Sequence, residues 1–144
     1  MAVIEAGLIV NGMPQIQSIY YPEDYVVDPI VKSNLVAAIQ VMAESAFRDE
    51  AREIKLKKYA IFINSIKHET VGQLFLYAIA EIAKTDLNEV QRRIDNLGKD
   101  LDFTQITLDL PMKTKKLISI QQRIDKSLKD LCMKPADRAK AIFG

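Results

Sequence analysis

The hydrophobic positions open as a run of Val3, Ile4, Leu8, Ile9 and Val10, stop at Asn11-Gly12, and resume between Pro14 and Tyr21. Asn-Gly is the preferred pair for a two-residue turn with positive φ, so the pattern predicts a β-hairpin. The first strand is nearly apolar throughout, as a central strand covered on both faces would be. The second alternates less cleanly and is expected at a sheet edge.

Asp28 is placed as an N-cap and Pro29 as the first residue of a long helix over about 29–49. Leu35, Ile39, Met42, Ala43 and Ala46 recur at three- and four-residue intervals and are expected to mark its core face. From Pro29 through Phe47 the only charged residues are Lys32 and Glu44, and Ala37, Ala38, Val41 and Ser45 widen the uncharged surface. A helix so short of charge is expected to be buried on more than one side.

Ile54–Leu56, Tyr59–Ile63 and Gln73–Ala80 are rich in residues that suit a pleated, half-buried surface and predict three further strands. Lys57-Lys58 and the polar stretch Lys67–Thr70 supply the breaks, which puts His68 in a loop. Asp86-Leu-Asn-Glu89 has the spacing of a capping box, and Leu87, Val90, Ile94, Leu97 and Leu101 then follow one helical face, predicting a helix over 87–101. Phe103–Pro111 reads as extended. Leu117, Ile120, Ile124, Leu128 and Leu131 form the stripe of a last helix over about 112–132, which Pro135 would end.

These elements fill 144 residues, the size of one domain with one core. Net charge is +1, but residues 1–50 carry two Lys/Arg against seven Asp/Glu and residues 112–144 carry nine against three. The basic helix at the end is expected to present a solvated face, with contact to an anionic surface as the other reading. The single cysteine, Cys132, can form no internal disulfide, and a free thiol fits a reducing compartment, so the expected location is cytoplasmic. The N-terminus has no basic start, and Glu5 interrupts its apolar run, unlike a secretory signal. No stretch reaches the roughly 18 apolar residues of a membrane span, so any membrane contact is expected to be peripheral.

The side chains that covalent chemistry needs are sparse. Five scattered glycines build neither a P-loop nor a dinucleotide loop. His68-Glu69 begins like a zinc-protease motif, but Gly72 stands where the second ligand would be, and one His with one Cys makes no ordinary metal site. A serine or cysteine nucleophile lacks a nearby base. Glu5, Glu81 and the group Asp95, Asp100 and Asp102 are candidate carboxylates, more often surface residues than catalysts. Tyr20, Tyr21 and Tyr25 have no lysine or arginine among them to hold phosphates, so no nucleic-acid partner is expected. Cys132 is a candidate lipid acceptor whose commoner role is a small half-buried hydrophobe. The expectation is a binding or assembly module, not an enzyme, with no catalytic residue, cofactor or metal.

Three stretches carry a family likeness: Ile4–Pro14 as an opening hairpin, Ile54–Ile63 as middle strands, and Leu74–Ala80 as a strand returning to the centre of the sheet. With the order β-β-α-β-β-β-α-α, residues 2–101 resemble the longin domain and its circularly related cousin, the roadblock domain. The resemblance implies an α+β fold, a five-stranded antiparallel sheet with a long helix on one face and C-terminal helices on the other. Residues 1–103 would be the longin-like core, and 104–144 an extended segment and basic amphipathic helix of the same domain. It also implies a platform that forms homo- or heterodimers and binds or regulates a small Ras-like GTPase, or joins a membrane-trafficking complex, with another longin- or roadblock-like chain as a possible partner.

The expected interface combines the uncharged helix face, Ala37, Ala38, Val41 and Ser45, with the edge strand beside it, Ile54 and Leu56. That face would leave apolar surface in water if the chain stayed a monomer. The alternative function is a small-ligand sensory domain of PAS-like or profilin-like type, which needs a pocket with converging polar groups.

Overall fold

Asn11 and Gly12 both take left-handed backbone, with φ of 50° and 80°, and join β1 (Val3–Val10) to β2 (Met13–Ile19) in the hairpin that the Asn-Gly pair predicts. The computed structural model describes residues 3–20, 29–68, 72–101 and 114–132. After α1 (Pro29–Phe47) come β3 (Glu53–Lys55), β4 (Tyr59–His68) and β5 (Gly72–Glu81), then α2 (Leu87–Asp100) and α3 (Thr114–Cys132). The strands form one antiparallel sheet in the order β2-β1-β5-β4-β3. This is an α+β fold with β1 and β5 central and β2 at an edge, as the patterning predicts. The predicted cap Asp28, the extended stretch 103–111, Tyr21, Tyr25, Asp102 and Pro135 lie outside the described residues.

Every residue of β1 is buried, because helices cover both faces of the sheet. Val3, Ala6, Leu8 and Val10 join Val90, Ile94 and Leu97 of α2 and Ile120, Ile124, Leu128 and Leu131 of α3 in one cluster. The α2 and α3 stripes are therefore those read from the sequence. Burying each such side chain contributes roughly 1.5–3 kcal/mol. Two polar ties clamp α3 to β2: the Tyr20 hydroxyl donates to Asp125 at 2.6 Å, and Gln121 donates to Ser18 at 3.0 Å. Arg93 joins α2 to α3 by a two-pronged bond to Asp130 and a 2.9 Å bond to the Ser127 carbonyl.

The opposite face carries Ile4, Ile9, Ile61, Ile63, Phe75, Tyr77 and Ile79, with α1 above it. A register shift between Val3 and Glu5 turns Ile4 and Glu5 to this same side. Here the predicted core face of α1 is corrected. Among the described side chains Ser33, Val36 and Gln40 are buried, whereas Leu35, Met42 and Ala46 are exposed and Ile39 and Ala43 only half-buried. Within one chain and among the described residues, α1 is buried on one face, against the sheet, and its other side is exposed. The helix ends through Arg48, left-handed at φ 52°, whose N–H donates to the Glu44 carbonyl at 2.9 Å.

Two strand boundaries also differ from the patterning. β4 runs five residues past Ile63, so the His68 backbone ends a strand opposite Gly72 instead of lying in a loop. β3 is displaced by one residue, which leaves Leu56 beyond it in the tight turn where its N–H donates to the Tyr59 carbonyl at 2.8 Å.

Candidate protein interface

Two polar side chains, Lys32 and Gln40, tie α1 to the rest of the protein. Lys32 reaches the carboxylate of Glu5, which is 0% exposed, and the Tyr77 hydroxyl donates to the other carboxylate oxygen at 2.7 Å. Two turns on, Gln40 donates to the Ala51 carbonyl at 2.7 Å and accepts from the Ala51 N–H at 2.8 Å. Its amide also reaches the Ser65 hydroxyl at 3.2 Å. Between these anchors, and among the described residues, Val36 is the α1 side chain in the core beneath. The polar inner face is therefore satisfied by specific partners, as buried polar groups require.

The outer face is the reverse. Val31 is 60% exposed, Met42 68% and Phe47 81%, and Leu35 and Val41 are exposed as well. Val31, Leu35, Ala38, Met42 and Ser45 follow one another at spacings of four, three, four and three, the spacing of a helix-to-helix seam. Lys32 is used inward, which leaves Glu44 as the charge on the exposed side within α1. α1 thus sends Lys32 and Gln40 toward the protein and leaves Val31, Leu35, Val41, Met42 and Phe47 in water.

Of the six predicted interface residues, Ala38, Val41 and Ser45 lie on this exposed side. Ala37 is half-buried and faces the hairpin turn at Gly12. Ile54 packs inward against the core beneath α1, and Leu56 is exposed beyond β3, so neither belongs to the stripe. Among the strands, β2 and not β3 is the one whose backbone α1 approaches most closely. Val31, Leu35, Met42 and Phe47 also belong to the exposed side, beyond the residues the sequence pattern points to. Two of them, Leu35 and Met42, belong to the helical period that predicts a core face.

The candidate carboxylates are spoken for in different ways. Glu5 is locked in the pair with Lys32. Asp95 accepts from Asn64 and Gln91 at 3.0 Å each and from Arg52 at 2.5 Å. Glu81 is half-buried and Asp100 exposed. Among the described residues no three His, Cys, Asp or Glu side chains stand together as a metal site would need, and no helix is long and apolar enough to cross a membrane. Comparison of the chain with protein-family models and with curated proteins finds no match.

Proposed function

We propose that this protein is a non-catalytic interaction module of the longin and roadblock kind, which pairs with a second copy of itself through the outer face of α1. The observation that carries the reading is the inverted helix, anchored to its own sheet by Lys32 and Gln40 while Val31, Leu35, Val41, Met42 and Phe47 stand in water. A face with almost no charge has nothing of like sign to repel its own copy, and a two-fold axis across it sets stripe against stripe. The strand order and the placement of α1 opposite α2 and α3 support the likeness to that superfamily. The partner class proposed with that likeness is a small Ras-like GTPase bound by the paired platform, or a related chain in place of the second copy.

A helix of this length spans about 28 Å at 1.5 Å per residue. A contact confined to such a stripe stands at the small end of specific interfaces, so association should rise with concentration instead of being obligate. The test is a single cysteine at Ala38, the midpoint of the stripe, in a Cys132→Ser background. Mild oxidation should give a reducible cross-linked dimer, whereas a cysteine at Lys126 on the outer side of α3 should not. Equal cross-linking at both positions, or none at Ala38, would count against the pairing. Retention of the protein on immobilised Ras-like GTPases, loaded with GDP or a GTP analogue, tests the partner class separately; no retention in either state rejects it.

A further inference from the structure

We infer a second docking surface, independent of the α1 stripe, on the outer edge of β4, where the sheet takes an extended peptide bearing acidic side chains as an added strand. β3 pairs with β4 only from Ala60 to Phe62, and the last bond across that edge runs from the Ile63 N–H to the Arg52 carbonyl at 2.9 Å. The chain leaves the edge there because Gln40 holds both the N–H and the carbonyl of Ala51 against α1. With a period of two along a strand, Ser65 is the next residue whose N–H and carbonyl point outward, away from β5. No described strand pairs with it on that side.

The two edges of the sheet are treated differently. β2 carries Pro14, which has no N–H to donate, and a register shift opposite Leu8 and Ile9; both features discourage strand addition. β4 has neither at Asn64–Ile66. Beside that stretch lies an open cavity of about 460 Å³ between the strand and the C-terminal half of α2. Gly98 lines it and makes room for the Asn64 side chain, since a Cβ there would stand 2.1 Å from the Asn64 side-chain oxygen. Arg52 and Lys99 flank the cavity. Asp95 also lines it, but its carboxylate already accepts from Arg52, Asn64 and Gln91. Exposed Lys99 joins no described ion pair. The backbone edge offers main-chain bonds, and with Arg52 held by Asp95 it is the Lys99 ammonium that selects for a carboxylate on the added strand.

Panning the intact protein with a random twelve-residue peptide library on phage tests this. Enriched peptides should be acidic, with alternating side chains and no proline at their centre. Ser65→Pro, which removes the outward N–H, and Lys99→Glu, which reverses the rim charge on the surface, should each weaken the selected peptides by about tenfold or more, the worth of one net hydrogen bond or charge contact. Circular dichroism identifies a variant that fails to fold, and Lys99→Glu then decides alone. No enrichment, enrichment of basic peptides, or binding indifferent to Lys99→Glu overturns the proposal. Slow hydrogen exchange at the Ser65 amide in the isolated monomer overturns it too, because the edge would then already be covered by the chain itself.

Discussion

Gly7 and Tyr77 are partners across β1 and β5, and the Tyr77 ring lies where a side chain on Gly7 would stand. A Cβ on Gly7 would be 2.9 Å from two atoms of the phenol and 2.0 Å from the Ile16 carbonyl oxygen. Because a strand backbone cannot give way as a flexible side chain can, Gly7→Ala should destabilise the fold by about 2–3 kcal/mol, as overpacking does. Urea unfolding measures this; a loss below about 0.5 kcal/mol, the scale of a neutral surface change, would contradict the placement of the ring.

The same tyrosine, with Lys32, completes the neighbourhood of Glu5. Lys32→Met leaves a fully buried carboxylate with one neutral donor, and breaking such a pair costs about 3–5 kcal/mol. Replacing both partners, Glu5→Gln with Lys32→Met, should recover much of that loss, since the charge and its counter-charge leave together. A double-mutant cycle followed by chemical denaturation reads the coupling directly. Additive losses would mean that Lys32 and Glu5 act independently.

Glu89 in the first turn of α2 provides a pH signature. Hydrogen bonds from Arg92 and Arg93 hold its carboxyl down from the ordinary 4.5 to about 2. A carboxylate whose folded pKa is depressed contributes stability above its unfolded value and loses it as pH falls through the folded one. Its contribution is therefore expected to be complete above about pH 4.5 and to fade toward pH 2. Solvent screens so exposed a site, and the effect on stability is small. An NMR titration of the Glu89 side chain should show the low midpoint, and Arg92→Ala should raise it; an unchanged midpoint would contradict the bond.

How much of this was legible in the sequence depended on whether a signal was local. Asn11-Gly12 forces a turn whatever surrounds it, and the leucine and isoleucine periods of α2 and α3 coincide with their buried faces. Asp86 does accept from the Glu89 N–H at 3.2 Å, although the Glu89 carboxylate turns to the two arginines instead of completing a capping box. The end of β4 was hidden because Asn64, Ser65 and Lys67 read as polar, while the ladder with β5 carries the strand on to His68. α1 misled for a subtler reason. Periodicity reports an apolar face without saying what it faces, and here the buried side holds Val36 and Gln40, whose partners include Ile4 and Phe75 of the sheet and Ser65, 25 residues on. Glu5 was visible as an interruption, but Lys32 and Tyr77 stand 27 and 72 residues away, beyond any local pattern.

Gly98 is a second glycine set by its neighbour and not by its own helix. Alanine favours a helix interior over glycine by up to about 1 kcal/mol, so on propensity alone Gly98→Ala would stabilise α2. The new Cβ would displace the Asn64 amide, which donates to Asp95 at 3.0 Å. The variant should therefore be less stable than the parent by about 1 kcal/mol or more, the worth of that bond plus the crowding. Adding Asn64→Ala should reverse the sign of the Gly98→Ala effect. A Gly98→Ala protein that melts higher in the parent background would refute the contact.

Sedimentation velocity over a rising concentration series, run on the parent and on Val41→Glu, tests the inverted helix most directly. The account predicts a parent whose mass climbs from monomer toward dimer, and a variant that stays monomeric at every concentration and unfolds at the parent's midpoint when both are dilute enough to be monomers, because Val41 is exposed and outside the core. A parent that remains monomeric throughout, or a variant that assembles as the parent does, would contradict it.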